Sequence, residues 1–391
     1  MVTEAKSIGI VTINDDGNYG NRLQNYALQQ ALRQIGRAPE TIRNTPRPWP
    51  RAMLIPRTID DLRYRPAEFL ERRARRVRET VARSRPAPPP FLERRRDANA
   101  RFTASFIQTS EMQFADAPRR YWAERYDRVI AGSDQVWNPH YRRANGMDFL
   151  DFTSPENRVS YAASFGAAAV PRFLHAHYAR WLEQIPHLSV RERSAAEVVR
   201  ALTGRDVPVV LDPTLLLTRA EWDELIEDEP RIEPEPYALR FMIGRLTPQQ
   251  EAGVGEVAAS PRVADLHDLE SPVHADVGPV GFVAAIAHAS VVITDSFHAC
   301  VFALLFRRPL VVCTRFRSDS RIGSLLEAHG LELEPTSADG VGVLRDVDWD
   351  AAERARELQR IGSLGFLRAA LDADSLSTSA ERVVPPTAAP R

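Results

Sequence analysis

Residues 289–312, ASVVITDSFHACVFALLFRRPLVV, are mostly apolar and are broken by two polar turns, Thr294-Asp295-Ser296 and Arg307-Arg308. A β-branched run that enters such a turn and leaves as an apolar helix is a strand–loop–helix unit of a parallel α/β sheet. The same unit stands near the amino terminus. SIGIVTI at 7–13 is a short buried strand closed by NDDGN, after which Leu23, Tyr26, Ala27, Leu28, Ala31, Leu32 and Ile35 fall at helical intervals before Gly36.

Further strands are expected at Arg128–Ala131, 157–166, His187–Arg191 and 207–217, with a helix over Phe173–Leu182. In the second half YALRFMIG, VADLHDL, ASVVITDS and PLVVCT alternate with helical segments, and the acidic, Pro-rich stretch 226–236 is a surface connection. A chain of 391 residues is long for one core. The expected architecture is therefore two Rossmann-like α/β domains facing across a cleft, 1–185 and 186–350, then a closing helix at 351–375 and a disordered Ser/Thr/Ala/Pro tail at 376–391. An Arg/Pro-rich helical insertion at 44–101, with a PAPPP break at 86–90, is read as a solvated excursion on the first domain, against the alternative of a basic arm for an anionic lipid or polymer.

Composition excludes several classes. A net charge of −1 gives no overall field for nucleic acid, so any anion site is local. Arginine excess runs along the whole chain, Lys6 being the only lysine, and reads as coding bias. Cys300 and Cys313 are the only cysteines and have no histidine at zinc spacing, so neither disulfide nor metal is expected. There is no secretory signal pattern and no apolar run of about 20 residues, so no transmembrane segment and a cytoplasmic location are expected.

Four segments carry chemistry. In TDSFHA, Asp295 or Ser296 caps the helix beginning at Phe297, whose free N–H groups attract phosphate, and His298 in its first turn is placed to bind phosphate or deliver a proton; the plain alternative is a packed histidine bonded to a carbonyl. In NDDGNYGNRLQN, Gly17 and Gly20 permit close backbone approach, while Asn18, Tyr19, Asn21 and Gln24 offer groups for a sugar. No Walker lysine and no G-x-G-x-x-G is present, so neither a nucleoside triphosphate nor a dinucleotide is implied. In AGSDQVWNP, Ser133, Asp134 and Gln135 lie at a strand exit, and Trp137 offers a flat face for a sugar or a piece of core. In SVRERS, Arg191 ends a strand and can clamp a carboxylate through two parallel bonds or pair with Glu192.

These segments, in this order and together with LDPTLLL at 211–217, resemble the motif series of the polysaccharide pyruvyltransferase family over roughly residues 7–330. The resemblance implies a bacterial-type enzyme with a fold similar to the GT-B glycosyltransferases. Its donor would be phosphoenolpyruvate and its acceptor a saccharide, a lipid-linked saccharide or a small hydroxylated molecule. The first domain would hold the acceptor and the second the donor, with no cofactor. On that reading His298 is the acid and phosphate ligand, Arg191 holds the carboxylate, Arg315 and Arg321 add positive charge, and Asp134 or Asp15 is the base. Two departures stand out. Ala299 and Cys300 replace the family's Gly-Thr, narrowing the helix start, and Asn21, Arg22 and Asn25 replace small or apolar residues, which points to a different acceptor. The rival readings are a nucleotide-sugar glycosyltransferase with Glu327 on the ribose, a non-catalytic saccharide binder, and a serine hydrolase built from Ser133, His298 and Asp295.

Overall fold

A computed structural model describes residues 7–45, 51–64, 69–71, 73–74, 90–167, 169–232, 236–258, 265–313, 320–336, 340–344 and 346–373. Two six-stranded sheets organise them. The first comprises β1 (Ser7–Val11), β2 (Ala38–Arg43), β3 (Thr109–Gln113), β4 (Arg128–Ala131), β5 (Arg158–Ala163) and β6 (His187–Val190). Their spatial order is β3-β2-β1-β4-β5-β6, and every pairing is parallel. This is the Rossmann order, whose ligand crevice opens beside the first strand, where the winding reverses.

The second sheet contains β7 (Tyr237–Phe241), β8 (Asp265–Asp268), β9 (Val291–Thr294), β10 (Leu310–Cys313), β11 (Glu334–Pro335) and β12 (Val341–Leu344), ordered β11-β12-β10-β9-β7-β8. β7 to β10 are parallel, and β11 and β12 add an antiparallel hairpin at one edge. The chain is thus two Rossmann-like domains of the GT-B type.

The helices that place the site are α1 (Tyr19–Gln34), α2 (Arg51–Tyr64), α3 (Pro90–Phe106), α4 (Pro279–His288), α5 (Phe297–Leu305), α6 (Ser320–Ala328) and α7 (Trp349–Asp372). All nine residues of α5 are buried, as its apolar sequence requires. α1 joins the domains, because Tyr19, Leu23 and Tyr26 share one apolar cluster with Trp222, Phe241, Phe282 and Phe302. Tyr19 stacks on Phe282 at 4.8 Å and donates its hydroxyl to the Val277 carbonyl at 3.0 Å.

α7 runs back from the second domain to the first. Buried Arg356 donates to the Leu215 carbonyl at 3.1 Å, and Leu367, Ala370 and Leu371 pack with Ile8, Ile10 and Leu28. The expected closing helix therefore starts slightly earlier, at Trp349, and clasps both domains, while the tail from 374 lies outside the described residues.

Three expectations are corrected. The boundary placed at 185/186 falls one strand too early, because β6 pairs with β5 and completes the first sheet. Residues 207–217 are not a full strand: only Val209 bridges to Val190, and Pro213–Leu215 form a 3-10 turn capped by the Asp212 side chain on the Thr214 N–H. Prolines at 208 and 213 lack the N–H a ladder needs.

The insertion, finally, is no detached excursion in its last part. In α3, Ala98 and Phe102 are buried, Asn99 donates to the Asp16 carbonyl at 2.8 Å, and Arg95 reaches Glu270 and the Leu269 carbonyl of the second domain, both at 2.7 Å. The run of charged residues from Glu93 to Asp97 conceals that inward Ala98–Phe102 face when the sequence is read alone. Much of the expected helical insertion between 65 and 89 lies outside the described residues.

Candidate active site

The carboxyl ends of β1 and β4 and the amino ends of α1 and α5 meet around a cavity of about 280 Å³ between the domains. Asn18 caps α1, accepting from Asn21 N at 3.2 Å, and Ser296 rather than Asp295 caps α5, accepting from Ala299 N at 3.5 Å. Two positive helix ends thus face one space. Asp295 instead fixes the loop leaving β7, since its carboxylate accepts from Ile243 N at 2.6 Å and Gly244 N at 3.0 Å.

His298 is 8% exposed and lies on the cavity wall. The imidazole fills the place where a side chain at Gly20 would begin; a Cβ there would stand 2.1 Å from His298 Nδ1. This explains the glycine at Gly20, across the domain junction from the histidine. Nε2 has no hydrogen-bond partner and stands 3.8 Å from Asp212 Oδ2. Burial lowers the imidazole pKa below its ordinary value, with Asp212 and Asp134 opposing that shift and Arg191 and Arg321 adding to it.

Asp212, which stands against His298, is passed over by motif reading, although LDPTLLL displays it before a proline. It is fully buried at the carboxylate and held on both oxygens. Oδ1 accepts from Thr214 N at 3.1 Å and Thr214 Oγ1 at 2.7 Å, while Oδ2 meets Ser133 Oγ at 3.1 Å and Arg191 Nη1 at 3.0 Å. Burial would raise this carboxyl, yet His298, Arg191 and Thr214 bring it below its usual range.

Arg191 also lines the cavity, its guanidinium 4.4 Å above the Phe297 ring. Burial works against its charge, but Asp134, Asp212 and Glu192 hold it protonated. The pairing with Glu192 that the sequence allowed is present: Nη1 donates to Asp212 at 3.0 Å, Nε is 3.5 Å from Glu192, and Nη2, 3.4 Å from Asp134 and without a hydrogen bond, is left for a ligand.

Asp134 lines the same wall in a left-handed conformation, φ 64°, which aspartate tolerates better than most residues. Its Oδ2 accepts from Asn21 Nδ2. Asn18, Tyr19, Gly20, Gln135, Asp295, Ser296 and Arg321 complete the expected residues found on the wall.

Others turn inward. Gln24 is wholly buried, donating to Thr12 Oγ1 at 2.9 Å and the Asn21 carbonyl at 3.0 Å while accepting from Ser133 N at 3.2 Å. Ser133 is equally buried, its hydroxyl 2.9 Å from the Ala162 carbonyl, so it is no exposed nucleophile. Trp137 is core: it stacks on Phe149 at 5.4 Å and donates to the Asp148 carbonyl at 2.9 Å.

Asp15 is held by Gly17 N and by the Tyr141 hydroxyl, each at 2.8 Å, and does not line the cavity. Glu327 pairs with Arg193 beside a different surface depression. Arg315 lies outside the described residues.

The departures from the family spelling also face inward. Arg22 donates to the Ile13 carbonyl at 2.5 Å, Asn25 accepts from Thr41 Oγ1 at 2.8 Å, and Ala299 and Cys300 are fully buried. α1 beyond its first turn is packed between the domains, so its polar side chains serve the loops behind it. The cavity is also lined by Leu92 and Arg95 of α3 with Phe241, Ile243, Glu270 and Phe282, none of which the motifs disclosed.

Among the described residues no group of His, Cys, Asp and Glu is arranged to hold a metal, and no helix is long and apolar enough to cross a membrane. Solved structures similar to the chain include a putative UDP-N-acetylglucosamine 2-epimerase from Listeria monocytogenes, 11% identical over 99% of this chain and 100% of that one, with a TM-score of 0.47. Another is the ADP-heptose heptosyltransferase II of E. coli, 14% identical over 94% of this chain and 99% of that one, with a TM-score of 0.36. No curated protein matches the sequence. The model of the polysaccharide pyruvyl transferase family matches residues 18–315, from the asparagine that caps α1 to just beyond β10, and the chain belongs to that family.

Proposed function

We propose that this protein transfers the pyruvyl group of phosphoenolpyruvate to two hydroxyls of a saccharide or saccharide-like acceptor, forming a ketal and releasing phosphate. The observation that carries the reading is His298: a buried imidazole on the wall of a cavity where two helix amino ends, Arg191 and Arg321 converge. Such a site suits a trianionic donor that must receive a proton.

Protonated His298 gives its proton to the donor methylene, and positive charge develops on the phosphate-bearing carbon. An acceptor hydroxyl forms a bond to that carbon while Asp134 takes its proton. The carbon–oxygen bond to phosphate then breaks, the electron pair leaving with phosphate, and a second hydroxyl closes the ketal. The two hydroxyl protons replace the one given up by His298 and supply the one phosphate carries away at neutral pH, so the site is regenerated. Arg191 Nη2 and the helix ends hold the donor anions through the sequence.

The test compares thermal shifts with phosphoenolpyruvate and with a panel of nucleotide sugars. A ligand present at 100 times its Kd stabilises the folded state by about 2.7 kcal/mol. Stabilisation by nucleotide sugars alone would replace this reading with glycosyl transfer. Phosphate release together with solvent deuterium in the pyruvyl methyl group, both lost in His298→Ala, completes it; general acid catalysis is typically worth about 10²- to 10⁴-fold.

A further inference from the structure

The helix α2 is inside out. Leu54, Ile55, Ile59 and Leu62 fall on one side of its helical wheel and are 46%, 73%, 59% and 49% exposed. The opposite side, which faces the protein, carries half-buried Met53 on the cluster of Trp137 and Leu174, and Asp61, 5% exposed and 3.5 Å from Arg57, lies at the margin between the two sides. An ordinary surface helix does the reverse. Four large aliphatic side chains turned outward together are costly in water and mark a surface that meets something apolar.

Charge identifies what that is. Residues 46–89 hold twelve arginines against five Asp and Glu, a segment of about +7 in a chain whose net charge is −1. Outward aliphatic residues on a short helix within a strongly basic segment match a bilayer with anionic headgroups. There the apolar side chains of the helix would enter the acyl boundary, and the positive charge of the segment would be attracted to the anionic headgroups.

Position in the fold agrees. α2 follows the carboxyl end of β2, the ligand edge of the first sheet. Its lead-in residue Asn44 is pinned there, donating to the Thr12 carbonyl at 3.0 Å and accepting from Arg142 Nη2 at 2.7 Å. We infer that α2 docks the protein on an anionic membrane surface, with the cleft at the same edge. On the pyruvyl-transfer reading this would bring a lipid-linked saccharide to the cavity mouth; the docking itself does not depend on the donor.

The test is co-sedimentation of the full chain with vesicles of phosphatidylcholine alone or with about one third phosphatidylglycerol, at low and high salt. The full chain is expected to bind the phosphatidylglycerol vesicles at least about tenfold more tightly than neutral ones, and less tightly as salt rises. Ile55→Glu with Ile59→Glu should weaken binding at least about tenfold, with unchanged circular dichroism and unchanged stabilisation by phosphoenolpyruvate. Absence of vesicle binding, binding indifferent to lipid charge, or binding indifferent to the double substitution would each overturn the inference. So would a wild-type dimer that the same substitutions convert to a monomer, since a second copy would then be the occupant. Failure in any of these ways leaves the phosphoenolpyruvate result standing, so the two readings are judged separately.

Discussion

Asp212→Asn removes one charge from the site and keeps its shape. The carboxylate lies 3.8 Å from His298 Nε2 with no exposure to water. At that separation, with an effective dielectric near 20, a carboxylate and an imidazolium attract by about 4 kcal/mol. Asp212 is also shared with Arg191, so the net loss of imidazolium stabilisation should be about half of that figure. Removing the anion leaves Arg191 less compensated beside the imidazole, which acts in the same direction.

His298 should therefore protonate only at lower pH in the variant. The limb of kcat/KM for phosphate release that requires protonated His298 should move down in pH, and turnover at neutral pH should fall by about 30-fold, the equivalent of about 2 kcal/mol. The assay that needs no acceptor is an NMR titration of labelled histidine in the free protein, with His298→Gln used to assign the signal. Thr214→Val removes a bond to Asp212 while retaining its charge, so it should cost stability by about 1 kcal/mol without moving the His298 titration. An Asp212→Asn protein that is folded, yet titrates at His298 as the wild type does, would refute the coupling of this pair.

Gly20→Ala places a Cβ 2.1 Å from His298 Nδ1, so the ring must leave its position; phosphate release should fall by about 10²-fold or more, and near wild-type turnover would show that the ring position is immaterial. Gln24→Ala leaves Thr12 Oγ1 and the Ser133 N–H without their partner and should lower unfolding free energy by about 1–3 kcal/mol in urea. A selective rise in acceptor KM at unchanged stability would instead return Gln24 to the substrate. His274, His298 and His329 all have pKa values lowered chiefly by burial. The unfolded chain consequently binds more protons than the folded one once pH falls below the ordinary imidazole range, about 6.5, and stability declines with acidification there; a melting temperature higher at pH 5.5 than at 7.5 would contradict this.

The amino-acid sequence by itself determined the alternation of strands and helices. β4 lies at Arg128–Ala131 as expected, and α5, apolar except for His298, had nowhere to go but between layers. Hydrophobic period and turn residues are local properties, so they survive being read one segment at a time. The same locality made His298, Asp134, Arg191 and Ser296 legible, since each stands where a strand ends or a helix begins. Sheet membership was not local: β6 belongs to the first domain because of its register with β5.

The direction of polar side chains was not local either. Asn21 and Gln24 look like sugar ligands in a loop spelling, but α1 is packed between two domains, and buried amides must direct their hydrogen bonds to the nearest backbone and side chains. Asp212 and His298 are 86 residues apart in sequence and approach only when the turn at Pro213 meets the amino end of α5. Arg95 reaches the cavity because α3 crosses to the second domain to pair with Glu270. Which polar atoms are consumed and which remain for a ligand follows from packing across the domain junction, and only the tertiary structure decides it.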